Sequence, residues 1–175
     1  MAELLSLGRR KRMKHVRHTI VGFDQHGNQL GPEKDIPAPD SFPTAGLGQV
    51  ESYVSRLLHS TARFTSLIIA TPDEQTAVLL SFRGGVPEIT ICVDWRLRPE
   101  LESGIRKFFA DRGHLTVHDY LAGNGDIPDA TRCLSYHLSP ESQLITELTR
   151  DLLKNIYGLQ DEDALNFSFE EHKPA

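Results

Sequence analysis

Cysteine is scarce in this sequence, and long apolar runs are absent. Of the 175 residues only Cys92 and Cys133 are cysteine, and they do not form a CxxC pair. Neither a disulfide scaffold nor a zinc knuckle can therefore be built from cysteine alone. No run is long and apolar enough for a transmembrane helix, and the N-terminal charges follow a very short apolar stretch, unlike a secretory signal. We expect a cytoplasmic protein in a reducing compartment, with no membrane partner.

Motifs of catalysis and cofactor binding are also missing. Gly46, Leu47 and Gly48 resemble the start of a dinucleotide-binding loop, but no strand precedes them and no third glycine follows. We interpret them as the start of a helix, and we expect no cofactor. A compact domain without a reactive constellation more often binds another macromolecule than converts a small one. The sequence therefore favours a binding protein over an enzyme.

Charge is distributed unevenly along the chain. The first eighteen residues carry six Lys or Arg residues against one Glu, a charge of +5, which leaves −10 on the rest because the whole chain carries −5. An acidic body repels nucleic acid, so only the basic arm could bind RNA, DNA or the ribosome. This is an alternative function, less expected than a protein partner. The basic residues of the arm are Arg9, Arg10, Lys11, Arg12, Lys14 and Arg17.

Composition divides the chain into three segments. Residues 1–43 combine the basic arm, a candidate short hairpin, and a stretch at 31–43 whose four prolines we expect to prevent strand pairing. Residues 44–159 form the core domain. Residues 160–175 are an acidic tail with a candidate edge strand or docking peptide, because its apolar residues alternate. The alternating residues are Leu165, Phe167 and Phe169.

Hydrophobic periodicity predicts an α+β fold for the core domain. Helix, three strands, helix, two strands and helix follow one another over residues 49–158. We expect an antiparallel sheet of about five strands, with the helices mainly on one face. Gly84 and Gly85 supply a two-residue hairpin loop, which places Leu80 opposite Ile89.

The second predicted helix has one apolar side. This helix is predicted to begin with Pro99 in its first turn and to end at Gly113. The last helix is predicted separately, with Ser139 as its cap and Pro140 at its first position. The apolar side of the second helix is a candidate surface for a partner or for a second copy, although core is the other role open to these residues. They are Leu101, Ile105, Phe108 and Phe109.

A second hairpin is predicted from residues 114–121 and 131–138. The predicted register places Leu115 opposite Tyr136 and Asp119 opposite Arg132, the latter as an ion pair, and a shift of two residues would keep the same faces.

On this register one face carries three imidazoles and a thiol, which are ligands for zinc or copper. They are His114, His118, Cys133 and His137. Residues two rungs apart on a sheet lie about 7 Å from one another, so all four could reach one ion only through a bulge. A half-exposed polar sheet face is therefore the stronger interpretation, and a metal-dependent enzyme is a second alternative.

The order α-β-β-β-α-β-β-α over residues 49–158 resembles the fold of bacterial type III secretion chaperones and of the related YbjN-like regulators. The resemblance covers about two thirds of the chain and lies in topology, without a matching sequence motif. It implies a small, acidic, cytosolic and commonly dimeric protein that offers apolar surface to an extended peptide or partner protein. It implies no catalytic residue. The long basic, proline-containing extension at the N-terminus departs from the chaperone pattern.

Overall fold

Among the residues that the structure describes, strands outnumber helices. The computed structural model describes residues 18–23, 29–36, 40–62, 64–73, 75–94, 98–122 and 131–172. The strands are β1 His18–Phe23, β2 Gln29–Ile36, β3 Asp40–Ala45, β4 Phe64–Ala70, β5 Ala77–Arg83, β6 Val86–Val93, β7 Thr116–Ala122, β8 Thr131–His137 and β9 Leu165–His172. The helices are α1 Val50–His59, α2 Pro99–Ala110 and α3 Ser142–Asn155, and a 3-10 turn at Leu47–Gln49 leads into α1.

One antiparallel sheet organises these elements. Its strand order is β3-β9-β4-β5-β6-β8-β7, while β1 and β2 pair with each other in a separate two-stranded sheet. The α+β class and the element order of the core are confirmed, and the sheet has more than the five strands predicted. The additional strands are β9, which lies in the predicted tail, and β3, most of which lies before the predicted core.

The three helices pack on one face of the sheet, called the inner face below. The core joins Leu57 of α1, Phe109 of α2 and Leu152 of α3 to alternate residues of the strands, such as Leu80 and Ile91. Residues between these on each strand point to the opposite, outer face. The apolar sides of the helices therefore form the core.

The first hairpin of the core has the predicted register. Leu80 lies opposite Ile89 and Arg83 opposite Val86. The turn glycines Gly84 and Gly85 have φ values of 59° and 87°. Positive φ at both central residues defines the type I′ turn, whose twist matches that of the paired strands.

Pairing within the proline-rich stretch differs from the prediction. We expected residues 31–43 to remain unpaired, yet they contribute to β2 and β3. Pro32 lies where the β1–β2 register shifts, and Pro43 lies where the β3–β9 register shifts. A proline without an N–H group is tolerated at a bulge or on an edge strand, and β3 is an edge strand.

The acidic tail contributes an interior strand. β9 pairs with β3 on one side and with β4 on the other, so it is a strand as predicted but not an edge strand. Its alternating residues Leu165, Phe167 and Phe169 are all buried. The strand β9 is therefore part of the core.

The predicted register of the second hairpin is wrong. Asp119 lies opposite Leu134, and Leu121 lies opposite Arg132, a shift of two residues from the prediction. The pairing also shifts between Thr116 and His118. The extra residue at this bulge is Val117, and a bulge reorients every side chain before it.

The last helix also begins later than predicted. Its first helical residue is Ser142 and its N-cap position is Glu141, so Ser139 and Pro140 precede the helix. The backbone N–H of Leu138 donates to the carbonyl of Pro87, so the contact between β8 and β6 continues one residue past the end of β8.

Candidate protein-binding site

β7 is the last strand at one end of the seven-stranded sheet. In the part of the chain that the structure describes, it pairs with β8 alone. The N–H and C=O groups on its other side therefore have no strand partner among those residues. An edge strand of this kind is a template for hydrogen bonding with another chain.

Large apolar side chains are exposed along this edge. Leu115, directly before β7, is 85% exposed, Val117 is 40% exposed, and Tyr120 and Leu121 are each 51% exposed. Seven large hydrophobic side chains are exposed among the described residues, and these four are the majority. Edge strands in natural proteins usually carry charge or proline that prevents such pairing. Among the described residues, the exposed large apolar side chains are instead concentrated at this sheet edge.

The exposed side chains lie on both faces of the sheet. Tyr120 lies opposite Cys133 on the outer face, whereas Leu121 lies opposite Arg132 on the inner face. Because the two residues are adjacent in the strand, their side chains point in opposite directions. A strand added beside β7 would thus meet apolar groups above and below the sheet.

The one acidic residue of β7 is held in an ion network. Arg132 donates to Asp119 through Nε at 2.7 Å and through Nη2 at 2.9 Å, and Arg106 of α2 donates to it through Nη2 at 2.7 Å. Arg106 also donates to Glu102 at 2.9 Å. The four residues carry two positive and two negative charges, so the network adds no net charge to the edge. The predicted ion pair of Asp119 with Arg132 is confirmed, although the two residues are diagonal neighbours.

This network changes the acidity of Asp119. Hydrogen bonds from Arg132 and then from Arg106 lower the pKa of Asp119 to about 2, and partial burial opposes them. The carboxylate is therefore ionised at neutral pH. Asp119 of β7 also links two neighbouring elements, because Arg106 belongs to α2 and Arg132 to β8.

An open pocket adjoins the start of β7. It has a volume of about 240 Å³, and His114, Leu138 and Leu144 are among the residues that line it. Leu144 is 48% exposed, so the pocket has an apolar wall. Its lining includes His114, two residues before the start of β7, and several residues of α3, but no residue of β7 itself.

The four predicted metal ligands are not brought together. His118 and His137 lie on the outer face, where their Nε2 atoms are 3.8 and 3.6 Å from Oε2 of Glu88. His114 precedes the strand and packs edge-to-face on Phe109, with ring centroids 6.0 Å apart. The bulge at β7 separates His114 from the face predicted for it. Among the described residues, no group of three or more His, Cys, Asp or Glu side chains is arranged to hold a metal ion.

The fourth predicted ligand is bonded to the other cysteine. Cys133 of β8 lies directly opposite Cys92 of β6, and the two form a disulfide. The disulfide differs from the expectation for these cysteines, which took them as thiols of a reducing compartment, with Cys133 as a candidate metal ligand. Their pairing depends on the contact between β6 and β8, which are separated in sequence by α2 and β7.

The predicted partner residues on α2 lie in the core. Ile105 and Phe109 are fully buried and Phe108 is 5% exposed, while Leu101 is partly buried against the same core. Phe109 stacks on Tyr136 with ring centroids 3.8 Å apart. These side chains therefore support the sheet and offer little surface to a partner.

The edge position of β7 was not predicted from the sequence. The adjacent residues Tyr120 and Leu121 could have indicated an interface, because neighbouring residues in a strand point to opposite faces of the sheet and two large apolar side chains are then exposed unless both faces are packed. The basic residues of the arm, Arg9, Arg10, Lys11, Arg12, Lys14 and Arg17, lie outside the described residues.

Comparisons with known proteins assign this chain to no family. No protein-family model, no curated protein and no solved structure matches it. Among the described residues, none of the helices has the length and apolar character needed to cross a membrane.

Proposed function

We propose that the protein is a cytoplasmic, non-enzymatic binding module, chaperone-like or regulatory, which takes an extended strand onto the edge of β7. The strand belongs to a partner protein or to β7 of a second copy. The observation that carries this proposal is the cluster of Leu115, Val117, Tyr120 and Leu121, exposed at an open sheet edge.

Strand addition would use both the main chain and the exposed side chains of β7. Main-chain hydrogen bonds supply affinity in such complexes, and pockets for alternate side chains supply specificity. Covering the exposed half of a leucine or tyrosine side chain contributes about 1 kcal/mol. The pocket lined by His114 and Leu144 is our candidate for receiving a side chain of the bound partner.

A second copy fits this edge in a defined register. Two copies related by a two-fold axis perpendicular to the sheet keep their helices on the same side, so residues that meet must lie on the same face. With the axis at Asp119, His118 faces the second copy's Tyr120, and Val117 faces the second copy's Leu121. The two Asp119 carboxylates would then lie among the guanidinium groups of both copies, which offset their repulsion.

Self-association provides the first test. Sedimentation velocity on the full chain, over roughly 1 to 100 µM, should show a monomer–dimer equilibrium in the affinity range of transient interfaces. Leu121→Lys should weaken the dimer by at least about tenfold, because it removes apolar burial and adds a charge to each edge.

A matched variant controls for a general effect of surface charge. Ile68→Lys replaces a residue of similar exposure, 42%, on β4, which three strands separate from β7. It should leave the association constant within about twofold, since it lies outside the paired edge.

A partner other than a second copy is tested by panning a peptide library against the full chain. Peptides that bind the parent protein and the Ile68→Lys variant but not the Leu121→Lys variant would support the proposal. A chain that stays monomeric and selects no peptide dependent on Leu121 would contradict it.

A further inference from the structure

The two cysteines of the chain occupy one cross-strand position. Cys92 and Cys133 are directly opposite each other on β6 and β8, with Cα atoms 4.2 Å apart. This spacing is close to that of a non-hydrogen-bonded antiparallel pair, in which side chains on the same face approach closely. Because Ile91 and Val93, on either side of Cys92, are buried in the core beneath the helices, the disulfide lies on the outer face of the sheet.

The two halves of this disulfide differ in accessibility. Cys92 is exposed, whereas Cys133 is only 3% exposed. Thiol–disulfide exchange requires a thiolate to reach one of the two sulfur atoms. Solvent access therefore directs an attacking thiolate to Cys92 and makes Cys133 the leaving group.

We propose that Cys92 and Cys133 form a redox modification site that exchanges with thiols of the dithiol class through Cys92. One thiolate of the dithiol attacks Cys92 Sγ, a mixed disulfide forms, and the Cys92–Cys133 bond breaks. The electron pair of that bond leaves on Cys133, which takes a proton. The second thiol of the dithiol then loses a proton and attacks its own sulfur in the mixed disulfide, which releases Cys92 as a thiolate that is protonated. The protein gains two electrons and two protons, and the dithiol becomes a disulfide.

The position of the bond gives this chemistry a structural effect. β8 is the described strand that holds β7 in the sheet, and Cys133 lies opposite Tyr120 of β7. Oxidation joins β8 covalently to β6, while reduction leaves that contact to hydrogen bonds and packing. The site is independent of the proposed binding function, because exchange at Cys92 needs no occupant on β7.

Single-cysteine variants test which sulfur reacts. The full-length Cys133→Ser and Cys92→Ser variants are treated with glutathione disulfide after reduction and desalting, and adducts are followed by mass spectrometry. Cys92 in the first variant should form its adduct at least about tenfold faster than Cys133 in the second, because rates follow access. Equal rates, or faster reaction at Cys133, would overturn the proposal.

The parent protein provides a test that needs no substitution. Reduced protein is mixed with limiting glutathione disulfide, quenched with acid at intervals, and mapped by proteolysis. The early adduct should be on Cys92, and it should decay to the Cys92–Cys133 disulfide as Cys133 displaces glutathione. A first adduct on Cys133, or a Cys92 adduct that persists without closing, would overturn the proposal.

Discussion

Reduction of the Cys92–Cys133 disulfide should lower the free energy of unfolding by about 2–4 kcal/mol. The bond joins residues with a sequence separation of 41, and the loop it closes contains α2 and β7. The chain-entropy relation gives about 4 kcal/mol for a loop of this length at 25 °C, and measured values are often smaller. The loss arises mainly because the reduced unfolded chain gains conformations.

Urea unfolding followed by circular dichroism measures this difference. The full chain is compared before and after treatment with a dithiol, and alkylation with mass spectrometry verifies the number of free thiols. With an m-value of about 2 kcal/mol/M, the midpoint should fall by about 1–2 M. The Cys92→Ser/Cys133→Ser double variant is the control, since its midpoint should not respond to the dithiol. An unchanged midpoint in fully reduced parent protein would refute the reasoning.

Two further predictions concern the support of the β7 edge. Asp119→Asn should lower the free energy of unfolding by about 1 kcal/mol at pH 7, a modest value because the side chains of the network are partly exposed to solvent. Because the pKa of Asp119 is lowered from 3.8 to about 2 in the folded state, its contribution is present above pH 4 and is lost as the pH falls toward 2. Urea unfolding at pH 7 and pH 2 should therefore show the variant's deficit disappearing in acid; a deficit that persists at pH 2 contradicts this. Phe109→Ala should cost about 3–5 kcal/mol, since it removes a fully buried ring stacked on Tyr136; a loss below 1 kcal/mol in the same assay would argue against a core role.

The sequence was sufficient for the elements whose boundaries are set by local chemistry. Gly84 and Gly85 fix the first hairpin because a two-residue loop with positive φ at both positions permits a single register. The apolar periodicity of α1 likewise corresponds to its buried face. In both cases the determining interactions lie within a few residues.

The second hairpin illustrates what local chemistry leaves open. Its two strands are separated by residues 123–130, a connection too long to fix the pairing by turn type. The bulge at Val117 then shifts the register and moves His114 off the predicted face. A bulge depends on how β7 meets β8 and on the packing of α2 above them, so periodicity alone does not place it.

Sheet order was the other unpredictable feature, and it determines the candidate site. The alternation of Leu165, Phe167 and Phe169 identifies a strand, but its place between β3 and β4 depends on contacts about a hundred residues apart. The edge position of β7 and the pairing of Cys92 with Cys133 likewise depend on the order of strands in the sheet. The hydrophobic pattern indicates which residues form a strand and should be buried, whereas only the strand order shows which strand lies at the edge of the sheet.

The central claim, that β7 accepts an added strand through its main chain, is tested most directly by N-methylation of a bound peptide. The ligand is a labelled peptide copy of residues 114–122, or the tightest peptide from the library, and binding to the full chain is followed by fluorescence anisotropy. In an added strand, alternate N–H groups face β7 and the others face solvent. Methylation of one alternating set should therefore abolish binding, while methylation of the other set should leave most of it. Equal loss for the two sets, or no loss for either, would contradict strand addition at β7.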